Sequence, residues 1–300
     1  MSHDHSHKPS GYGRAFALGL ALNGGFVIIE AFYGWQTQSL ALLADAGHNL
    51  SDVAGLVLAW AALAASQLQA DDRHTYGWQR SSILAGFANA IILLVAMGSL
   101  GWEAIERLRT PTPISAGTVM IVASIGAVIN SLTAVLFLSG SKHDLNMRGA
   151  FLHMAADAMV SVGVVLAGAI YVWQGWSWID PAVSLAITVL IIFGTWSLLR
   201  ETLHLLFDGV PTAIKLTEVR EALRNLPGVL DLHDLHVWAL GTAENALTAH
   251  LVVSEQLTDH STLLVAAEKM LHDRFEITHV TLQIESTEHA RMCAPDVCSA

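Results

Sequence analysis

A histidine followed four residues later by an aspartate occurs twice in mainly apolar sequence, as His48-Asn-Leu-Ser-Asp52 and as His153-Met-Ala-Ala-Asp157. On a helix, residues four apart share one face about a turn apart. Each segment therefore offers an imidazole and a carboxylate pointing the same way. Two such helices face to face would bring two nitrogens and two oxygens around one point, a donor set that suits tetrahedral Zn²⁺. A single His–Asp pair inside a membrane also reads as a helix–helix hydrogen bond. Two copies at the same spacing favour a shared ion.

The elements that must position these groups are membrane helices. Hydrophobic residues make up 53% of the 300-residue chain and charged residues only 14%, against about 25% charged in soluble domains. Six stretches are long and apolar enough to cross a bilayer of about 30 Å, near residues 14–36, 40–68, 81–106, 114–139, 149–173 and 179–204. A carboxylate at bilayer depth costs about 2.5–3.5 kcal/mol on insertion scales, so two at one depth need compensation. A divalent cation cancels both charges, and when it leaves the same atoms call for protons. The site chemistry thus predicts metal/proton exchange.

The short connections make neighbouring helices antiparallel. Lys8, Arg14, Arg73, Arg80, Lys142, Arg148 and Arg200 fall on one side and Arg107 and Arg109 on the other, which puts both termini in the cytoplasm. Trp173, Trp176 and Trp178 read as an interfacial aromatic belt. Helix two enters from the outside near Leu40, so Asp52 lies roughly 18 Å in; helix five enters from the inside near Gly149, so Asp157 lies roughly 12 Å in. The two pairs can meet near mid-membrane, where alternating-access carriers place substrate.

From Asp208 the pattern changes. Residues 214–226 have helical periodicity, 229–239 and 247–254 read as strands, 258–275 as a helix and 280–285 as a strand. The order αββαβ predicts a small α+β domain with helices on one face of its sheet. Residues 208–300 hold 14 acidic and 6 basic residues, a net of −8. Such a domain attracts cations and disfavours nucleic acid. The expected organisation is a His-rich tail at 1–13, a six-helix transmembrane domain at 14–207, a cytoplasmic α+β domain at 208–287 and a tail at 288–300. The first ten residues do not resemble the basic start of a cleaved signal peptide. Both cysteines, Cys293 and Cys298, lie in the last eight residues, so no disulfide framework holds the fold.

The run from Ser39 through Asp45 and His48 to Asp52, the second His-x-x-x-Asp, Asp180-Pro181, and His233-Asp-Leu-His236-Val-Trp238 together resemble the motifs of the cation diffusion facilitator family. The closest likeness is to its bacterial cobalt–zinc–cadmium resistance branch, similar to animal zinc transporters, over roughly residues 14 to 286. The resemblance implies a homodimer in the bacterial inner membrane, a ferredoxin-like cytoplasmic domain, and proton-coupled metal efflux through His48, Asp52, His153 and Asp157. Some relatives carry a third aspartate where this chain has His48; a second imidazole favours borderline zinc over softer cadmium. His233, His250 and Glu285 match a cytoplasmic metal pattern, with Gln283 where one relative has histidine and with His279 nearby in sequence. Cys293 and Cys298 resemble tail cysteines that close such sites. Solvated strand histidines are the alternative. The family's acidic-plus-HxxxH loop between helices two and three is incomplete here: Asp71, Asp72 and His74 are present, but Trp78 stands at the second histidine position, leaving Asp72 and His74 as the pair for a weak site.

Other features carry less. His3, His5 and His7 can collect metal loosely or form a solvated start. Asn23, Glu30, Asp45, Asn89 and Asn130 each need a partner inside the membrane; Glu30 and Asp45 either line a proton or metal path or bond between helices. Gly24, Gly25, Gly98 and Gly101 read as close-packing positions. A haem protein using His48 and His153 would not need the two aspartates, and no haem-attachment CxxCH occurs. A metal sensor with a mere membrane anchor would not need paired carboxylates in the bilayer. No phosphate-cradling glycine loop suggests ATP.

Overall fold

A computed structural model describes residues 12–138 and 145–292. Six long helices come first: α1 Tyr12–Thr37, α2 Leu40–Ser66, α3 Ser81–Arg109, α4 Ala116–Leu138, α5 Leu145–Gln174 and α6 Ile179–Leu206. Among the described residues, the segments Leu40–Ser66, Ser81–Arg109, Ala116–Leu136, Phe151–Gln174 and Ile179–Leu206 are long and apolar enough to cross a membrane. The 26 residues of α1 run about 39 Å at 1.5 Å per residue.

The chain forms two compact units. One holds the described residues up to Val57 together with Asn89–Ser197. Its core gathers Phe26, Ala41, Leu42, Ala44, Met97, Val119, Ala123, Val164 and Ile187 from all six helices. Outside that core its surface is strongly apolar, with Ile28, Phe32, Trp35, Ile92, Trp102 and Phe193 each more than half exposed. Soluble monomers do not carry contiguous apolar surface of this extent.

Small residues let the helices close. A Cβ at Gly126 of α4 would sit 2.8 Å from the Phe26 ring of α1. The sequence expectation for glycines needs correcting here: a Cβ at Gly25 or Gly98 would meet nothing within 4 Å, whereas Gly101 abuts Thr188. Glycine type alone does not say which face of a helix meets a neighbour.

The start of α2 is fixed from two directions. The Ser39 hydroxyl accepts from the Leu42 N–H at 3.2 Å and donates to Asp180 Oδ1 at 2.5 Å, while the Leu40 N–H donates to Asp180 Oδ2 at 2.9 Å. Amide groups that a helix leaves unpaired at its N-terminus are thereby satisfied. Gln38, at φ 57°, turns the chain between α1 and α2, and its carbonyl accepts from Arg107 of α3.

The second unit holds Leu58–Ala88 and the described residues from Leu198 on. It contains α7 Leu216–Arg224, β1 Val229–Ala239, β2 Asn245–Val253, α8 His260–Phe275, β3 Ile277–Glu285 and the short α9 Thr287–Met292. The sheet order is β1-β2-β3, with β1 antiparallel and β3 parallel to β2. Thus β2, α8 and β3 make a parallel crossover. Val219, Leu223, Leu247, Leu251, Ala267 and Leu271 bury the helices against the sheet. The expected αββαβ order is present. The chain stays helical to residue 292, past the expected tail start at 288; Ser286 accepts from the His289 N–H at 3.1 Å and opens α9. His3, His5, His7, Lys142, Cys293 and Cys298 lie outside the described residues.

The β1–β2 ladder is irregular where it matters. His233 faces His250, but the next pair is His236 with Thr248. Three steps on β1 therefore match two on β2, a bulge that puts Asp234 at φ 52°.

Candidate metal centres

His48 and Asp52 on α2 meet His153 and Asp157 on α5. With α5 beginning at Leu145, both aspartates stand about 12 residues from their helix starts, roughly 18 Å along the axis; the shorter figure for Asp157 came from starting helix five at Gly149. His153 Nε2 is hydrogen-bonded to Asp52 Oδ2 at 3.1 Å. Three further pairs are longer: His48 Nε2 to Asp52 Oδ2 at 3.7 Å, His48 Nε2 to Asp157 Oδ1 at 3.6 Å, and His153 Nε2 to Asp157 Oδ2 at 3.6 Å. These exceed hydrogen-bonding range. They approach the edge of a tetrahedron with Zn–N and Zn–O bonds of about 2.0–2.2 Å, which is roughly 3.3–3.6 Å. One ligand atom each from His48, His153 and Asp157 lies within 4.8 Å of the others, and Asp52 joins through both imidazoles. Asp157 is buried, with Oδ2 lacking any hydrogen-bond partner, while His48, Asp52 and His153 keep 25%, 37% and 42% of their side chains exposed. The set is thus reachable on one side and starved of partners on the other.

The surrounding polar groups find neighbours. Ser161, one turn beyond Asp157, donates to buried Asp45 at 2.9 Å, and Asn49 donates to buried Glu30 at 3.3 Å. Ser51 donates to Asn89 and Asn23 to Thr133, each at 3.4 Å. Asp45 and Glu30 therefore brace α2 against α5 and α1. Asn130 is buried with its Nδ2 unpaired.

In the loop after α2, the carboxylate beside His74 belongs to Asp71, at 3.2 Å from its Nδ1, and not to Asp72. The backbone N–H groups of His74 and Arg73 also donate to Asp71 and hold its carboxyl below the usual range. This is a turn held by its own aspartate. Trp78 stacks on His74 at 4.2 Å between ring centres.

The sheet gathers a second set. Glu285 Oε2 is 3.0 Å from His233 Nε2, and its Oε1 is 2.9 Å from His250 Nδ1. Ligand atoms of the three residues lie within 4.8 Å of one another. Glu285 is fully buried, and Gln283 donates to its Oε1 at 2.7 Å. His233 turns its Nε2 and His250 its Nδ1 toward Glu285, so one nitrogen of each ring is available to a cation held beside that carboxylate. Sequence reasoning missed two neighbours. His289 of α9 comes within 4.0 Å of Glu285, and Asp234 lies between His236, at 2.9 Å, and His250, at 3.5 Å. The His236 imidazole holds the Asp234 carboxyl below its usual range. The four-residue spacing of Glu285 and His289 was visible, but not that a helix follows β3. His279 instead packs edge-on to Tyr76 at 5.1 Å.

Comparison with known proteins matches two family models to the chain. The cation efflux transmembrane domain matches residues 16–207, and the cytoplasmic domain of cation efflux proteins matches residues 211–287. The chain is 38% identical over 283 residues to the metal cation efflux system protein CzcD of Cupriavidus metallidurans, covering 94% of this chain and 89% of that one. It is 35% identical over 293 residues to a cadmium, cobalt and zinc/H⁺–K⁺ antiporter of Bacillus velezensis, covering 96% and 93%. It is 37% identical over 292 residues to the zinc transporter ZitB of Escherichia coli, covering 95% and 93%.

Proposed function

The chain belongs to the cation efflux family, and from that premise we propose that it exports Zn²⁺ from the cytoplasm in exchange for protons, with His48, Asp52, His153 and Asp157 holding the ion in transit. It is a membrane transporter of divalent metal cations and not an enzyme.

The observation that carries the zinc reading is the set of three His–Asp separations of 3.6–3.7 Å, two of them to Asp157, whose buried Oδ2 has no hydrogen-bond partner. They are too long for the side chains to satisfy one another and suited to a small ion between them. Two carboxylates and two neutral imidazoles make a neutral complex with a divalent ion. On release the carboxylates are left at membrane depth, and protons restore neutrality. Exchange follows from the donor set, and the name of the Bacillus relative includes H⁺ among that protein's ions.

The rest of the assignment is of a piece with this. Helix α1 is the sixth crossing. Both termini face the cytoplasm, which follows from the lysine and arginine distribution. The chain works as a homodimer in the inner membrane. His233, His250 and Glu285 hold a resident zinc ion in the cytoplasmic domain, where it would tie β1, β2 and β3 together.

The test is transport in proteoliposomes with a pH dye sealed inside, against zinc, cadmium, cobalt and nickel in turn. Zinc should move fastest and each metal movement should drive an opposing proton signal. Zinc flux with no proton signal under an imposed zinc gradient would remove the exchange mechanism while leaving the carrier.

A further inference from the structure

The cytoplasmic trio leaves one nitrogen of His250 unexplained. Its Nδ1 lies 2.9 Å from Glu285 Oε1, so this is the atom turned toward the ion position; its Nε2 points the other way, 3.5 Å from Asp234 Oδ2. A neutral imidazole has one N–H and one lone pair. If Nδ1 gives its lone pair to an ion, the hydrogen sits on Nε2 and needs an acceptor.

Asp234 is the carboxylate that nitrogen faces, and at 3.5 Å a small side-chain shift would bring it into accepting range. The bulge in β1 sets it at φ 52°, a left-handed backbone that aspartate tolerates better than most residues. Without the extra residue, alternation along β1 would turn its side chain away from His233. Its second oxygen, Oδ1, accepts from His236 Nε2 at 2.9 Å, which fixes the carboxylate plane and leaves Oδ2 for His250. A non-glycine residue held in this conformation beside a cluster of ligand-type side chains is a common mark of a functional constraint.

We propose that Asp234 is a positioning residue for the cytoplasmic zinc site: it accepts the Nε2–H of His250, selects the tautomer with a free Nδ1 lone pair, and so sets the affinity of a site it does not itself ligate. This rests on the reading of His233, His250 and Glu285 as a zinc site. His236 serves as the outer support, and the bulge is the backbone device that brings Asp234 into line.

The experiment uses the full chain in detergent carrying Asp157→Ala, so that the membrane site contributes little, and titrates Zn²⁺ alone against a competing chelator. Two variants are compared on that background. Asp234→Asn keeps size but offers an amide that can present its N–H₂ to His250 and favour the wrong tautomer. Asp234→Gly removes the carboxylate while accepting the left-handed backbone better than aspartate does. Both should weaken zinc binding by about 10–100-fold with the metal-free melting curve retained. Nitrogen-15 spectra of histidine-labelled protein should show a zinc-bound Nδ1 and a protonated Nε2 for His250 in the parent. Unchanged affinity in Asp234→Gly would mean that Asp234 serves only the bulge and would overturn the inference. A zinc-bound Nε2 in the parent would overturn it as well. A parent that binds no zinc would instead remove the underlying site, and the inference with it.

Discussion

The two histidine–carboxylate clusters are built from the same donors and behave oppositely as structures. In the membrane unit, three of the four close His–Asp pairs stand at 3.6–3.7 Å and a buried Asp157 oxygen has no partner. In the sheet, Glu285 is met at 2.7–3.0 Å by Gln283, His233 and His250. The first set is incomplete without a guest. The second largely satisfies its own carboxylate, so its protein frame holds together with or without one. The mountings differ in the same sense: two long helices can move past each other, whereas three hydrogen-bonded strands cannot shift register without breaking the ladder. A carrier must release its cargo, and loosely spaced donors on separate helices suit release. Closely held donors on a sheet suit a resident ion.

The largest effect separates the two directly. Asp157→Ala should reduce zinc uptake into proteoliposomes to the level of protein-free vesicles, while the dimer seen by size-exclusion chromatography with light scattering is kept. Glu285→Ala should retain substantial transport. Equal, complete loss in both variants would erase the distinction between a site of passage and a site of residence.

Next in size is selectivity. His48→Asp removes an imidazole, a donor that suits zinc, and puts in a carboxylate that can bind a larger ion through one or both oxygens, which should lower the zinc-to-cadmium transport ratio several-fold. An unchanged ratio across the metal panel would mean that the donor at position 48 does not discriminate. A smaller effect is expected in the sheet. Free zinc at about 100 times the dissociation constant should stabilise the cytoplasmic fold by about 2.7 kcal/mol, read as a rise in melting temperature that a chelator reverses and that Glu285→Ala lacks. Smaller again is the brace at the start of α2. Removing the Ser39 cap as Ser39→Ala should cost about 1 kcal/mol, seen as a lower melting point with the same preference among metals.

How far the sequence reveals these features depends on the distance over which their geometry is set. The pairs His48/Asp52 and His153/Asp157 stand out because a helix with 3.6 residues per turn fixes neighbours four apart, whatever surrounds it. The helices and strands were legible for the same local reason, and β1 was placed at 229–239 as observed. Ser39 and Asp180, 141 residues apart, could be noticed as motifs, but nothing local says that one carboxylate caps another helix. Asp234 was hidden by the bulge: one extra residue in β1 reverses the facing of the residues after it, and simple alternation cannot announce it. In the loop, Asp71 and Asp72 are chemically alike, and only the turn decides that Asp71 is the one beside His74.

The smallest prediction concerns how the sheet unit keeps its frame in acid. Asp259 caps α8, the helix that carries the chain from β2 to β3, and its carboxylate accepts from the hydroxyl and the N–H of Thr262 at 2.5 and 3.0 Å. These two donors hold its carboxyl below the usual range. A carboxyl more acidic in the folded than in the unfolded state adds stability that is present above the unfolded value of about 3.9 and fades as pH falls through the folded one. Asn is also a good cap and does not titrate. Asp259→Asn should therefore melt close to wild type at pH 7 and lose stability more gently than wild type below about pH 4, followed by the ellipticity of the full chain. The proposed transport site plays no part in this comparison, so the same variant should leave zinc flux at neutral pH unaltered. A steeper acid loss in Asp259→Asn would show that the carboxylate at the helix start is not what titrates, and would transfer the acid sensitivity of this unit to its other depressed carboxyls, Asp71, Glu218 and Asp234.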